Sequence, residues 1–195
     1  MDWQYTKRND GKIAITLDNN VWDFLFDRDI DLASQLPPDR FAIFITREVE
    51  IEKDHIPNDD SKKPLRQYID RAIATSNIET TSVFGFASEG NGPVRVGGFG
   101  QGTWQSQTER EFYDAIRQPF LEGRGLRKSE LSNNEGDAAI AAQSFFSIAL
   151  TSEFPEKRGP LRFAAEHGGK VLYLKGFDGS GQTLRAYIEA FYERI

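Results

Sequence analysis

Short, uninterrupted apolar runs separated by helix-patterned segments constrain this chain more than any other feature. Phe41-Ala42-Ile43-Phe44-Ile45 contains no polar residue and is bounded by Pro37-Pro38-Asp39 before it and Thr46 after it. A strand with one wet face alternates apolar and polar residues. A continuous apolar run suits a strand covered on both faces, as in a parallel sheet. Ile13–Leu17, Ser147–Leu150 and Lys170–Leu174 share this character. Between them, Val21, Trp22, Leu25 and Phe26, then Leu65, Tyr68, Ile69, Ala72 and Ile73, then Leu184, Tyr187, Ile188 and Phe191 fall at helical spacing. Strand–helix alternation of this kind predicts an α/β fold, a three-layer Rossmann-like parallel sheet flanked by helices. At 195 residues the chain is long enough for one domain with a proper core.

One stretch departs from the alternation. Ser82–Ser88, the glycine-rich Glu89–Pro93 and Val94–Trp104 read as two arms and a turn, which predicts a β-hairpin insertion over 80–106. Its glycines Gly97, Gly98, Gly100 and Gly102 do not make a nucleotide loop, because no Lys-Ser/Thr ending follows and no strand-to-helix placement is present. Thr108–Glu111 has capping-box spacing and predicts a helix start there.

Carboxylates recur at the ends of the apolar runs. Asp18 follows the first, with Asn19 and Asn20 behind it. Glu48 and Glu52 lie past the second, in a charged and apolar alternation that reads either as an edge strand or as a helix carrying both acids on one face. Asp137 opens a thin helix built on Ala138, Ala139, Ala141 and Ala142. That helix leads into the third run, and Thr151-Ser152-Glu153 leaves it. In an open α/β sheet, ligands bind beyond the carboxyl ends of the strands. Carboxylates gathered there repel one another unless protons or cations intervene, and an oxygen-only set suits Mg²⁺ or Mn²⁺. The absence of cysteine and the presence of only two histidines exclude thiolate and histidine-rich sites. A net charge of −6 argues against a basic nucleic-acid wrapper but not against a nucleic-acid enzyme. Each acid also has a plainer reading: Asp18 and Asp137 as helix caps, the glutamates as solvated surface charge.

Taken together, these segments resemble the motifs of the PIN-domain family of metal-dependent nucleases. Leu17-Asp18-Asn19-Asn20-Val21 is similar to the opening motif and Thr46–Glu52 to the second, whose count favours Glu52 over Glu48. Asp137–Ala142 resembles the third and Thr151-Ser152-Glu153 the fourth, with glutamate where aspartate is usual. The resemblance implies an endoribonuclease with Asp18, Glu52, Asp137 and Glu153 as catalytic metal ligands for Mg²⁺ or Mn²⁺. Asn20, Glu48 and Thr151 would support them, and Arg124, Arg127 and Lys128 would contact nucleic acid. It also implies RNA as substrate and, for a toxin or defence member, an antitoxin-type protein partner over the acidic cleft. A homodimer stays open. No membrane-spanning run is present, and a cytoplasmic address is expected. Two alternatives stand beside this: a catalytically weak PIN-like RNA-binding or assembly module, and another Rossmann-like phosphohydrolase. An aspartyl-nucleophile enzyme would want a second aspartate two positions after Asp18, where Asn20 stands instead.

Overall fold

The computed structural model describes residues 3–57, 59–81, 83 and 84, 103 and 104, 106–121 and 134–195. Its centre is a five-stranded, all-parallel sheet of β1 (Ile13–Leu17), β2 (Phe41–Thr46), β3 (Glu79–Thr81), β6 (Ile148–Thr151) and β7 (Val171–Tyr173), in spatial order β3-β2-β1-β6-β7. Every residue of β1 and β6 is buried, as a strand covered on both faces requires.

The helices that flank the sheet form two contact groups. α4 (Lys63–Thr75) touches both α1 (Val21–Asp27) and α2 (Leu32–Gln35). α6 (Glu135–Gln143) touches both α5 (Gln107–Ile116) and α7 (Pro160–Glu166). α3 (Arg47–Asp54) leaves β2 directly and packs on α6, and α8 (Leu184–Tyr192) closes the chain. No helix among the described residues is long and apolar enough to cross a membrane.

Local chemistry explains the boundaries. The Thr46 hydroxyl accepts from the Val49 backbone N–H, so the ambiguous segment after β2 becomes a helix and not an edge strand. α6 buries Ala138, Ala139, Ile140, Ala141 and Ala142, because α3, α5, α7, β1, β2 and β6 all lie against it. Alanine serves here as the best helix former and as the side chain that lets so many neighbours approach. Trp3 sits edge-on to Phe112 and Phe145 and ties the amino-terminal segment to this side of the core.

Several expectations need correction. The edge strand β3 begins at Glu79, where an insertion was expected from residue 80. β4 (Val83–Phe84) and β5 (Thr103–Trp104) pair in parallel, not antiparallel as a hairpin requires. The remainder of that insertion lies outside the described residues. The capping box at the start of α5 is Ser106 with Glu109, not Thr108 with Glu111. The Asp18 side chain does not cap α1, whose N-cap residue is Asn20. Asp137 is the third residue of α6, which begins at Glu135, not its cap.

Candidate active site

Parallel register carries the first acid to its neighbours. Leu17 of β1 lies level with Leu150 of β6, and the Asp18 backbone N–H donates to the Leu150 carbonyl at 3.0 Å. Asp18 and Thr151 therefore emerge side by side. They do so between β1 and β6, where the sheet order reverses and open α/β sheets place their ligand crevice.

Asp18 is 4% exposed. The Thr151 hydroxyl donates to its Oδ2 at 2.7 Å, the Asn20 amide donates to the same oxygen, and the Asn19 backbone N–H donates to the carboxylate as well. The Asn20 side-chain Oδ1 accepts from the Ser152 backbone N–H at 2.7 Å and from the Ser152 hydroxyl at 3.0 Å. The Thr151 hydroxyl also accepts from the Glu153 backbone N–H at 3.1 Å. Asn20 and Ser152 thus latch the loop after β1 to the loop after β6, with Asp18 held inside the latch.

Two further acids converge on it. The Asp18 carboxyl is pushed up to about 7, first by burial, then by the nearby charge of Asp137 and less by that of Glu153, against the opposing hydrogen bonds from Thr151 and the Asn19 backbone. The Asp137 and Glu153 side chains are 14% and 17% exposed, so the negative charge is poorly shared with water.

Between these two acids lies a cation that sequence reading passed over. The Lys157 ammonium pairs with Glu153 Oε1 and lies 3.8 Å from Asp137 Oδ2. Burial lowers its pKa, but its bond to Glu153 and the charges of Asp137, Glu153 and Asp18 outweigh that and raise it overall. The signal was present as a lysine four residues after an acid, which puts the two within reach across one turn.

Glu48 and Glu52 of α3 are half-buried and lie near Gly136 at the start of α6. A Cβ added at Gly136 would lie 3.7 Å from Glu52 Oε1 and 3.9 Å from Glu48 Cβ. The Glu52 carboxylate therefore reaches the residue preceding Asp137. The charge of Glu48 is felt at Tyr113, whose phenol is raised well above its ordinary range first by burial and then by Glu48, Glu109 and Glu135. Arg124, Arg127 and Lys128 lie outside the described residues.

The donors that meet here are all oxygens: Asp18, and the carboxylates of Asp137 and Glu153 whose charges act on it. The described side chains are not gathered into a finished ligand set: no group of three or more Asp, Glu or His among them is arranged to hold a metal ion as it stands. Lys157 supplies the countercharge in this arrangement. No protein-family pattern matches this chain, and no curated protein matches it.

Proposed function

We propose that this chain is a PIN-like, divalent-metal-dependent endoribonuclease whose site is the acid group at the carboxyl ends of β1 and β6. The observation that carries this reading is the Asp18 carboxyl at the sheet's reversal point, pushed up first by its burial and then by the charges of Asp137 and Glu153 from elsewhere in the chain. Core packing gains nothing from such a cluster, and like charges brought together in a crevice are a recurring mark of a functional site.

Asp18, Asp137 and Glu153 would hold Mg²⁺ or Mn²⁺, with Glu52 reaching in from α3. A divalent ion held there supplies Lewis-acid charge to a scissile phosphate and makes water a better nucleophile at neutral pH. Asn20 and Thr151 fix the Asp18 carboxylate in one orientation. Thr151, by donating to the carboxylate, favours the charged form that a cation requires. Lys157 would release Asp137 and Glu153 when a cation arrives.

The test is cleavage of a panel of single-stranded and structured RNAs with Mg²⁺, Mn²⁺ or EDTA, using wild type beside Asp18→Asn and Asp137→Asn. Metal-dependent cleavage lost in both variants is the expected result. Equal cleavage by all three proteins would sink the assignment. A second reading, an RNA-binding module without catalysis, is favoured by Lys157 standing among the acids. It predicts RNA binding that neither EDTA nor the two substitutions abolish.

A further inference from the structure

Immediately after Glu153, the chain does something costly in water. Phe154 is 62% exposed, against 37% for Phe26, the other exposed large apolar residue among those described. Single exposed apolar side chains are ordinary on protein surfaces, so the position matters more than the exposure. Phe154 adjoins the acid group, and Pro155 restricts its backbone. Its carbonyl accepts from the Lys157 backbone N–H at 3.0 Å, which closes the turn carrying Lys157 back to the acids.

The ring is also dressed with positive charge. The Lys175 ammonium, from the 3-10 turn Leu174–Gly176 that follows β7, lies 4.4 Å from its centroid. Tyr173, at the end of β7, is half-buried. Its phenol is raised first by burial and then by Glu153, while Arg162 opposes this, so it stands close to the same acid. Acid, ammonium, exposed aromatic and second ammonium thus follow one another at one edge of a chain whose net charge is −6.

That combination is the chemistry that receives unpaired nucleotides: an aromatic face for the base and cations for the backbone. A duplex offers its bases already stacked and gains nothing from such a ring. Resting on the nuclease reading above for the site beside it, we infer that Phe154 is a stacking platform for an unpaired base of single-stranded RNA, with Lys175 behind the ring. It makes the site selective for single strands.

The experiment uses the full chain in EDTA, so that binding is read apart from chemistry. Anisotropy of a labelled single-stranded oligoribonucleotide is compared with that of the same sequence in a perfect duplex. Wild type is expected to prefer the single strand. Phe154→Ala is expected to weaken single-strand binding by about 5- to 150-fold, and Phe154→Trp to restore it, with all three proteins melting alike. In Mg²⁺ or Mn²⁺, Phe154→Ala raises KM for single strands and leaves kcat nearly unchanged. Equal single-strand affinity of wild type and Phe154→Ala overturns the inference. So does a tryptophan variant no better than alanine, a wild-type preference for duplex, or no RNA binding at all. A wild type that binds as expected but cleaves nothing overturns the nuclease reading and leaves the platform standing.

Discussion

The Asp18 carboxyl should make the metal-free protein lose stability as pH rises, the reverse of what a salt-bridged aspartate does. Its pKa is raised from 3.8 to about 7 in the folded chain. Between those values the folded state holds a proton that the unfolded state has already released. The unfolded state therefore binds fewer protons, and the free energy of unfolding falls with increasing pH, levelling off above about 7. A shift of this size corresponds to roughly 4 kcal/mol at 1.36 kcal/mol per unit. The part lying between pH 5 and pH 8 is roughly 2.6 kcal/mol. For a domain of this length that is about 5–10 °C in Tm. Solvent screening does not reduce it much, since the side chain is 4% exposed.

Asp18→Asn isolates the effect. Asparagine keeps the shape and one acceptor oxygen for Thr151 and Asn20, but carries no titrating proton. Its absolute stability carries a cost of about 1–3 kcal/mol wherever its amide meets a donor instead of an acceptor. The informative quantity is therefore the slope. Melting followed by circular dichroism in EDTA at pH 5, 6, 7 and 8 should show wild-type Tm falling and the variant's staying flat, once groups common to both are subtracted. Asp10, held at about 2 mainly by Arg8, and Asp59 and Asp178, also held below the ordinary carboxylate range, titrate below this window. Parallel slopes for wild type and variant would refute the reasoning, because they would place the Asp18 proton outside the folding equilibrium.

Other outcomes follow from the same geometry. Mn²⁺ at about 100 times its dissociation constant should stabilise wild type at pH 8 by about 2.7 kcal/mol, EDTA should reverse this, and Asp137→Asn should reduce it, all read as Tm. Thr151→Val removes the donor that opposes the upward shift of Asp18, so the pH at which wild-type stability levels off should move higher in the variant. Lys157→Ala should cost about 0.5–1 kcal/mol in EDTA, the scale of a half-exposed ion pair, while enlarging the Mn²⁺-dependent rise in Tm. Gly168 has φ +102°, and a Cβ there would meet the Trp3 carbonyl oxygen at 2.3 Å; Gly168→Ala should cost at least about 2 kcal/mol by urea unfolding.

What could be read from the sequence was whatever a period or an apolar run encodes. β1 and β2 were legible because Ile13–Leu17 and Phe41–Ile45 are dominated by apolar residues; β1 is buried on both faces, whereas Ala42 and Phe44 leave one face of β2 half-buried. β3 was not legible. Glu79, Thr80 and Thr81 form a three-residue strand at the sheet's edge, without an apolar run, and only pairing with Phe44–Thr46 makes them a strand. The start of α5 was misread because Ser106/Glu109 and Thr108/Glu111 share one spacing, and spacing alone cannot choose between them. In the candidate site, Asp18 and Glu153 were placed by the strand ends they follow, whereas Asp137 was placed at a helix start that lies two residues earlier, at Glu135. The latch was not readable, since Asn20 and Ser152 are 132 positions apart and meet only through the register of β1 on β6.

The three converging acids are not held alike, and this asymmetry bears on how a cation would be received. Asp18 is fixed by donors from Thr151, Asn20 and the Asn19 backbone, within a latch of two loops. The described contacts of Asp137 and Glu153 that involve their carboxylates run to Lys157, a side chain half-exposed to solvent. A rigid carboxylate must be correctly placed beforehand, whereas tethered ones can adjust by exchanging an ammonium for a better cation. Reorganisation on binding then falls on the side of Asp137, Glu153 and Lys157, and the Asp18 side serves as the fixed reference. Loosening that reference with Asn20→Ala should therefore lower RNA cleavage more than removing Lys157 does, even though Lys157 carries the full charge.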